Sequence, residues 1–270
     1  MVKFGSSHIL ALFGLILIGV IALYLVKFYS LRFRPNIATI HVINLDKDIT
    51  RWEHMKETTE GLIPRIERWE GVNGKKLTPD EMGAKGVGFA MTISGKGVYS
   101  EREKDLRNQG VVGCFLSHQS LIKHLGTLDV PDYYGHLILE DDVTIPKNFL
   151  KAGDEFSKIQ AHVPLDWDIL YLDVTEPYGY SIGNNIMKLQ YKQGLNSGNG
   201  NWGTHAYIVR HGAIKEKVEP WLEHMVDSID QHYKRQFNKW KVYAVVPGII
   251  PLDPVLSSPE NSSIQEAKKE

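Results

Sequence analysis

Three carboxylates stand in a row, Glu140, Asp141 and Asp142, directly after the apolar run His136-Leu-Ile-Leu. Side chains alternate along a strand, so Glu140 and Asp142 would point one way and Asp141 the other. Adjacent carboxylates repel one another, and a divalent cation is the simplest way to neutralise them. An all-oxygen ligand set favours Mg²⁺ or Mn²⁺ over zinc. Such a cation could hold a diphosphate and take up the negative charge that develops on a departing nucleoside diphosphate. The plain alternative is a solvated turn, because open α/β folds place acids at strand ends in any case. Asp173 closes a second strand-like run, and Asp227 with Asp230 lies at i, i+3 near the start of a helical stretch. Asp173 and Asp227 would each suit a general base that takes a proton from a hydroxyl. Asp227, followed by a serine, equally suits a helix cap.

Other side chains could assist. Val111, Phe115, His118, Ile122 and Leu125 fall on one stripe at helical spacing between Gly110 and Gly126, which predicts an amphipathic helix with His118 facing the core. A core histidine with a satisfied hydrogen bond is the commoner meaning of that pattern. Cys114, on the same helix, reads as a small buried hydrophobe. Lys85, Lys96, Arg102, Lys104 and Arg107 could close over a diphosphate, although a loop of this composition is usually just solvated. Tyr178, Tyr180 and Trp202 could stack on sugar rings, with loop packing as the alternative.

The elements that must position these groups are short apolar runs at Ile37–Asn44, His136–Glu140, Asp168–Asp173, Thr204–Val209 and Lys241–Val246, with helical patterns such as Asp48–Glu60 between them. Alternation of this kind predicts an α/β fold, a largely parallel sheet covered by helices on both faces. Residues Gly83–Asn108 and Thr175–Gly203 read as loops, which in such folds gather at the carboxyl ends of the strands.

Balanced charge, −1 overall, provides no field for collecting nucleic acid, so none is expected as a partner. One cysteine forbids an internal disulfide. Ile9–Val26 carries no charge and is long enough to cross most of a hydrocarbon core. A membrane anchor over 9–29 is expected, in preference to a cleaved signal peptide, because the run exceeds a usual signal core and no small-residue cleavage site follows it. The tail 1–8 precedes it, a linker 30–36 follows, the catalytic domain occupies 37–256, and 257–270 reads as disordered. Lys27, Arg32 and Arg34 beyond the span slightly favour a cytosolic C-terminal domain. The sequon Asn261-Ser262-Ser263 would suit a lumenal one.

Taken in order, the motifs resemble glycosyltransferase family 25. VINLDKDITRWEHM (Val42–Met55) is similar to the family's opening strand with its Asn-Leu and later Arg. RWEGVNG (Arg68–Gly74) is similar to its second strand, and GCFLSH (Gly113–His118) to its Gly-Cys-x-x-Ser-His helix. LILEDD (Leu137–Asp142) looks like its metal motif, LDWDILYLD (Leu165–Asp173) like its Asp-Trp-Asp strand, and THAYIVRHGAIK (Thr204–Lys215) like its Ala-Tyr unit. Asp227 matches an acid before the family's last helix. Val111 stands where the family often has an acid, and Ser262-Ser263-Ile264 lacks the acid of its C-terminal signature.

The resemblance implies a GT-A-type, Rossmann-like fold and inverting transfer of a hexose, galactose before glucose, from a UDP-sugar to a hydroxyl of a glycan, glycolipid or protein. Glu140 and Asp142 would bind Mn²⁺ or Mg²⁺. Asn44, Leu45, Arg51, Ser117, His118 and Asp141 would bind the donor, and Asp227, then Asp173, would act as base. It also implies a type II membrane protein with a lumenal catalytic domain in an endomembrane compartment. Two other functions fit the residues: a metal-dependent hydrolase or nucleotidyltransferase, and a membrane-tethered carbohydrate-binding protein without turnover.

Overall fold

The computed structural model describes residues 15–23, 35–62, 64–87, 109–151, 153–191 and 200–258. Within them the chain runs β1 (Asn36–Asn44), α1 (Ile49–Thr58), β2 (Ile66–Glu70), a 3₁₀ turn (Gly74–Lys76), α2 (Pro79–Ala84), α3 (Gln109–Leu125), β3 (Tyr134–Glu140), α4 (Glu155–Gln160) and β4 (Ile169–Tyr171). A hairpin, β5 (Gly179–Gly183) and β6 (Ile186–Leu189), leads to β7 (Ala206–Arg210). Next comes α5, built from His211–Ala213, a π-helical stretch Ile214–Val218 and Glu219–Trp221; α6 (Ile229–Lys234) and β8 (Val242–Val245) close the fold.

The strands form one sheet in the order β2-β1-β3-β7-β4-β8-β6-β5. Alternation along β3 sends Ile138 into one apolar core with Phe115, Ile122, Tyr207 and Tyr233, and Leu137 and Leu139 into a second core with Met55, Phe156, Ile159 and Trp167. Helices α3, α5 and α6 therefore cover one face and α1 and α4 the other. Burial on both faces is why the central strands read as unbroken apolar runs. The expected α3 stripe is buried along its whole length, from Val111 to Leu125.

Two expectations change. The sheet is mixed rather than largely parallel: β1 runs parallel to β2 and β3, and β4 to β8, but β7 is antiparallel to both of its neighbours and β6 to both of its own. After β4 the chain leaves at the carboxyl end of the central strands, makes the hairpin, and re-enters at that same end, so β7 can only run backwards. An apolar run encodes burial, not direction. Second, part of the expected loop 175–203 is that hairpin. Its two-residue turn, Asn184-Asn185 at φ 52° and 60°, has the left-handed backbone that asparagine tolerates and tight hairpins require. Its neck is closed by Thr175 and Trp202, each donating its N–H to the other's carbonyl at 3.0 Å. No helix among the described residues is long and apolar enough to cross a membrane. Residues 15–23 are helical with exposed side chains; the rest of the expected span 9–29 lies outside the described residues, as do Lys96, Arg102, Lys104, Arg107 and the sequon.

Candidate functional site

Helix α3 is brought against the loop after β2 by two glycines. A Cβ on Gly74 would sit 1.7 Å from the Gln109 carbonyl oxygen, and one on Gly113 would sit 2.4 Å from that of Val72. Only hydrogen fits at either place. Ser117 locks the contact, accepting from the Val72 N–H at 2.7 Å and donating to the Gly113 carbonyl at 2.7 Å. Between this helix, the β1–α1 loop and the end of β3 lies an open cleft. It is lined by Leu45, Arg51, Ser117, His118, Glu140, Asp141 and Asp142, together with Lys47, Asp48, Asn73, Lys75 and Cys114. A second groove continues from it past Arg68, Trp69 and Lys85.

The three carboxylates have different partners. Asp141, buried, accepts from Asn44 Nδ2 at 2.6 Å and from Arg51 Nη1 at 2.8 Å. Burial pushes its carboxyl up, against the opposing pull of Arg51 and Asn44. Burial likewise opposes the charge on Arg51, but Asp141 and Asp142 outweigh it and hold the guanidinium charged. Glu140 Oε1 meets His118 Nε2 at 3.3 Å and Thr204 Oγ1 at 3.0 Å. Burial would raise the Glu140 carboxyl, yet these contacts outweigh it and hold it below the ordinary carboxylate range. Asp142 lacks such support. Its Oδ1 is buried and accepts no hydrogen bond, its nearest cation is Arg51 at 3.8 Å, and burial followed by Glu140 lifts its carboxyl to about 7.

A buried carboxylate oxygen without a donor, beside a second carboxylate held ionised, is a set that a divalent cation completes. The residues present therefore fit the expected metal, which Asp142 and Glu140 would hold. Asp141 fits a different task, anchoring Arg51 at the cleft wall.

The set is not all oxygen, however. Cys114, His118 and Glu140 each place a ligand atom within 4.8 Å of the others. Cys114 is half-buried and lines the cleft, where the sequence suggested full burial. Burial, then Glu140, raises its thiol well above the ordinary value. His118 is both a core residue and a site residue: its Nδ1 meets Tyr207 Oη at 3.0 Å inside the core while Nε2 reaches the cleft.

Model comparison places residues 37–229 within the family described as Glycosyltransferase family 25 (LPS biosynthesis protein). The chain belongs to glycosyltransferase family 25. Among similar family 25 proteins, "Procollagen galactosyltransferase 2" of Homo sapiens is 28% identical over 133 residues, 49% of this chain and 20% of the relative. "Glycosyltransferase 25 family member" of Drosophila pseudoobscura pseudoobscura is 27% identical over 132 residues, again 49% and 20%. A protein of the same description from Aedes aegypti is 22% identical over 209 residues, 76% of this chain and 32% of the relative. The chain thus spans between a fifth and a third of the curated relatives it matches.

Within this family 25 fold the remaining expected site residues stand further off. Asn44 is buried behind the cleft, linking Arg68 Nε, at 2.7 Å, to Asp141. Asp173 and Asp227 do not line the cleft. Asp173 Oδ2 meets His205 Nε2 at 2.9 Å. Asp227 is buried and paired with Arg235 Nη2 at 2.7 Å, and the residue at the helix cap position is its neighbour Ser228. Lys85 lines the second groove, Tyr178 and Tyr180 are exposed on the hairpin, and Trp202 packs under Lys234 Nζ at 3.5 Å. Sequence reasoning missed Thr204 and His205 as site residues. The polar pair just before the apolar run of β7 was the available signal, but its meaning depends on the antiparallel entry of that strand.

Proposed function

We propose that the chain transfers a hexose, galactose before glucose, from a UDP-sugar to a hydroxyl of a glycan, glycolipid or protein, with inversion and with a divalent cation, Mn²⁺ or Mg²⁺. One observation carries this reading: Leu45, Arg51, Ser117, His118, Glu140, Asp141 and Asp142, spread over about a hundred positions of sequence, line a single cleft at the carboxyl end of β1 and β3. The name of the human relative, a procollagen galactosyltransferase, favours galactose.

The chain's own residues divide the work. Arg51, kept charged by Asp141, offers a cation to a donor's phosphates. Glu140 is held ionised and oriented by His118 and Thr204. Asp142 presents an oxygen without a donor, and the two together hold the cation. When bound, that cation supplies Lewis-acid stabilisation of the leaving diphosphate. Of the two candidate bases, Asp173 is now the better choice. It follows β4 at the same end of the sheet, and it is oriented by His205, the residue after Thr204. Asp227 is neutralised by Arg235. The anchor 9–29, apolar over Ile9–Val26, holds the domain at a membrane, lumenal side, which alkaline extraction of membranes would test.

The deciding experiment is UDP release from UDP-galactose and UDP-glucose by the full chain with Mn²⁺, alongside Asp142→Asn. Cation-dependent release that the variant loses is the expected result. A folded wild-type chain that releases no UDP from either donor would overturn the reading.

A further inference from the structure

We propose that Cys114, His118 and Glu140 form a binding site for a thiophilic divalent cation, Zn²⁺ above all, on the wall of the cleft. The three ligand atoms already lie within 4.8 Å of one another. Tetrahedral zinc with bonds of about 2.0–2.3 Å needs ligand atoms about 3.3–3.8 Å apart, a closure of roughly 1 Å. Cys114 and His118 are spaced i, i+4 on α3 and so project from one face of the same helix. Much of the geometry is built in advance. In the cation-free site the Nε2–H of the wholly buried His118 faces Glu140; when a cation binds, the imidazole proton shifts to Nδ1 and donates to Tyr207 Oη, 3.0 Å away, leaving the Nε2 lone pair to the metal. An outer partner on Nδ1 is the usual means by which proteins fix a metal-binding imidazole. Thr204 holds the third ligand, donating to Glu140 at 3.0 Å. The fourth position opens on the cleft, since all three residues line it.

The chemistry balances without a redox partner. Zinc replaces the Cys114 thiol proton, which leaves to solvent as the S–Zn bond forms, and neutral imidazole and carboxylate complete the set. One thiolate and one carboxylate then match the dication's charge. Thiolate and imidazole select Zn²⁺ over Mn²⁺ or Mg²⁺, whereas Asp142 with Glu140 offers the hard oxygens those ions prefer. Because Glu140 belongs to both sets, the two kinds of cation exclude one another. Zinc therefore acts as an inhibitor of sugar transfer, a consequence that rests on the function proposed above; the zinc site itself does not.

Cobalt(II) is the probe for the test. With a single cysteine in the chain, a sulfur-to-cobalt charge-transfer band in the near ultraviolet reports this site alone. Co²⁺ added to the full chain should give that band with the strong visible absorption of four-coordinate cobalt, and stoichiometric Zn²⁺ should bleach both. Cys114→Ser should abolish the band and weaken zinc binding about tenfold or more, as should His118→Gln, while Asp142→Asn keeps the band. Circular dichroism checks each variant's fold, and Cys114→Ser, a near-isosteric change, decides the matter if His118→Gln does not fold. No band in the wild type, or a band that survives in Cys114→Ser, would overturn the proposal. UDP release is scored separately, so failure of the transferase reading and failure of the zinc site give different results.

Discussion

Replacing Asp142 with asparagine should make the cation-free protein more stable while removing its turnover. Burial and the neighbouring Glu140 lift the Asp142 carboxyl from 3.8 to about 7. Between those values the folded chain holds a proton that the unfolded chain has released. Wild-type stability therefore falls as pH rises through that window and levels off above it. At about 1.4 kcal/mol per pH unit the whole window amounts to on the order of 4 kcal/mol. Local relaxation and water entry at the cleft reduce that to about 2 kcal/mol. The amide keeps the shape of the side chain and carries no charge, so the variant escapes this cost. For a domain of this size, about 2 kcal/mol corresponds to a rise in melting temperature of roughly 4–8 °C. The assay is thermal unfolding with excess chelator at about pH 8 and about pH 5, where the gap between variant and wild type should narrow. Added Mn²⁺ should raise the melting temperature of the wild type and leave the variant unmoved. Equal or lower melting of the variant at about pH 8 would refute the view that the site stores an uncompensated carboxylate.

Four other outcomes follow from the geometry. Gly113→Ala must displace α3 from Val72 and Gly74, whose atoms lie 2.4 Å and 2.8 Å from the new Cβ; a loss of about 1–3 kcal/mol in denaturant unfolding is expected, with a raised KM for donor. Thr204→Val keeps the shape but removes the hydroxyl bonded to Glu140, so the protein should lose about 1 kcal/mol of stability and bind Mn²⁺ about tenfold more weakly by calorimetry. Asp173→Asn should lower kcat about 10²-fold or more with little change in donor KM. Asp227→Asn should instead unfold the protein more readily, by about 3 kcal/mol, because Arg235 loses its buried partner. The opposite assignment of these two effects would make Asp227 the base.

Much of this site was legible before any fold was known, for a physical reason. Glu140, Asp141 and Asp142 end an apolar strand, and a strand's carboxyl end in an α/β sheet is where ligands bind. The α3 stripe placed His118 inside correctly because helical period and burial are both local properties. Harder to read were features set by long-range pairing. The direction of β7, and with it the arrival of Thr204 beside Glu140, depends on where the chain re-enters the sheet, about which an apolar run says nothing. The packing of α3 on the turn after β2 depends on the close approach of Gly74 and Gly113, two glycines whose meaning appears only once their backbones are in contact. The hairpin was the exception, since Gly183-Asn184-Asn185 carried a local turn signal within a stretch read as a loop.

Asn201 offers a last consequence. In left-handed backbone at φ 55°, it accepts from the Tyr178 N–H at 2.7 Å and donates to the carbonyls of Tyr178 and Gln190 at 2.9 Å and 3.0 Å. One side chain thus ties together the two ends of the stretch from 191 to 200, while the neck at Thr175 and Trp202 ties the next layer. The positions of Thr204 and His205, only a few residues on, against Glu140 and Asp173 are therefore set by these ties, whatever the sequence that connects Tyr191 to Gly200. Evolution and the protein engineer can both revise this edge of the molecule without renegotiating its centre.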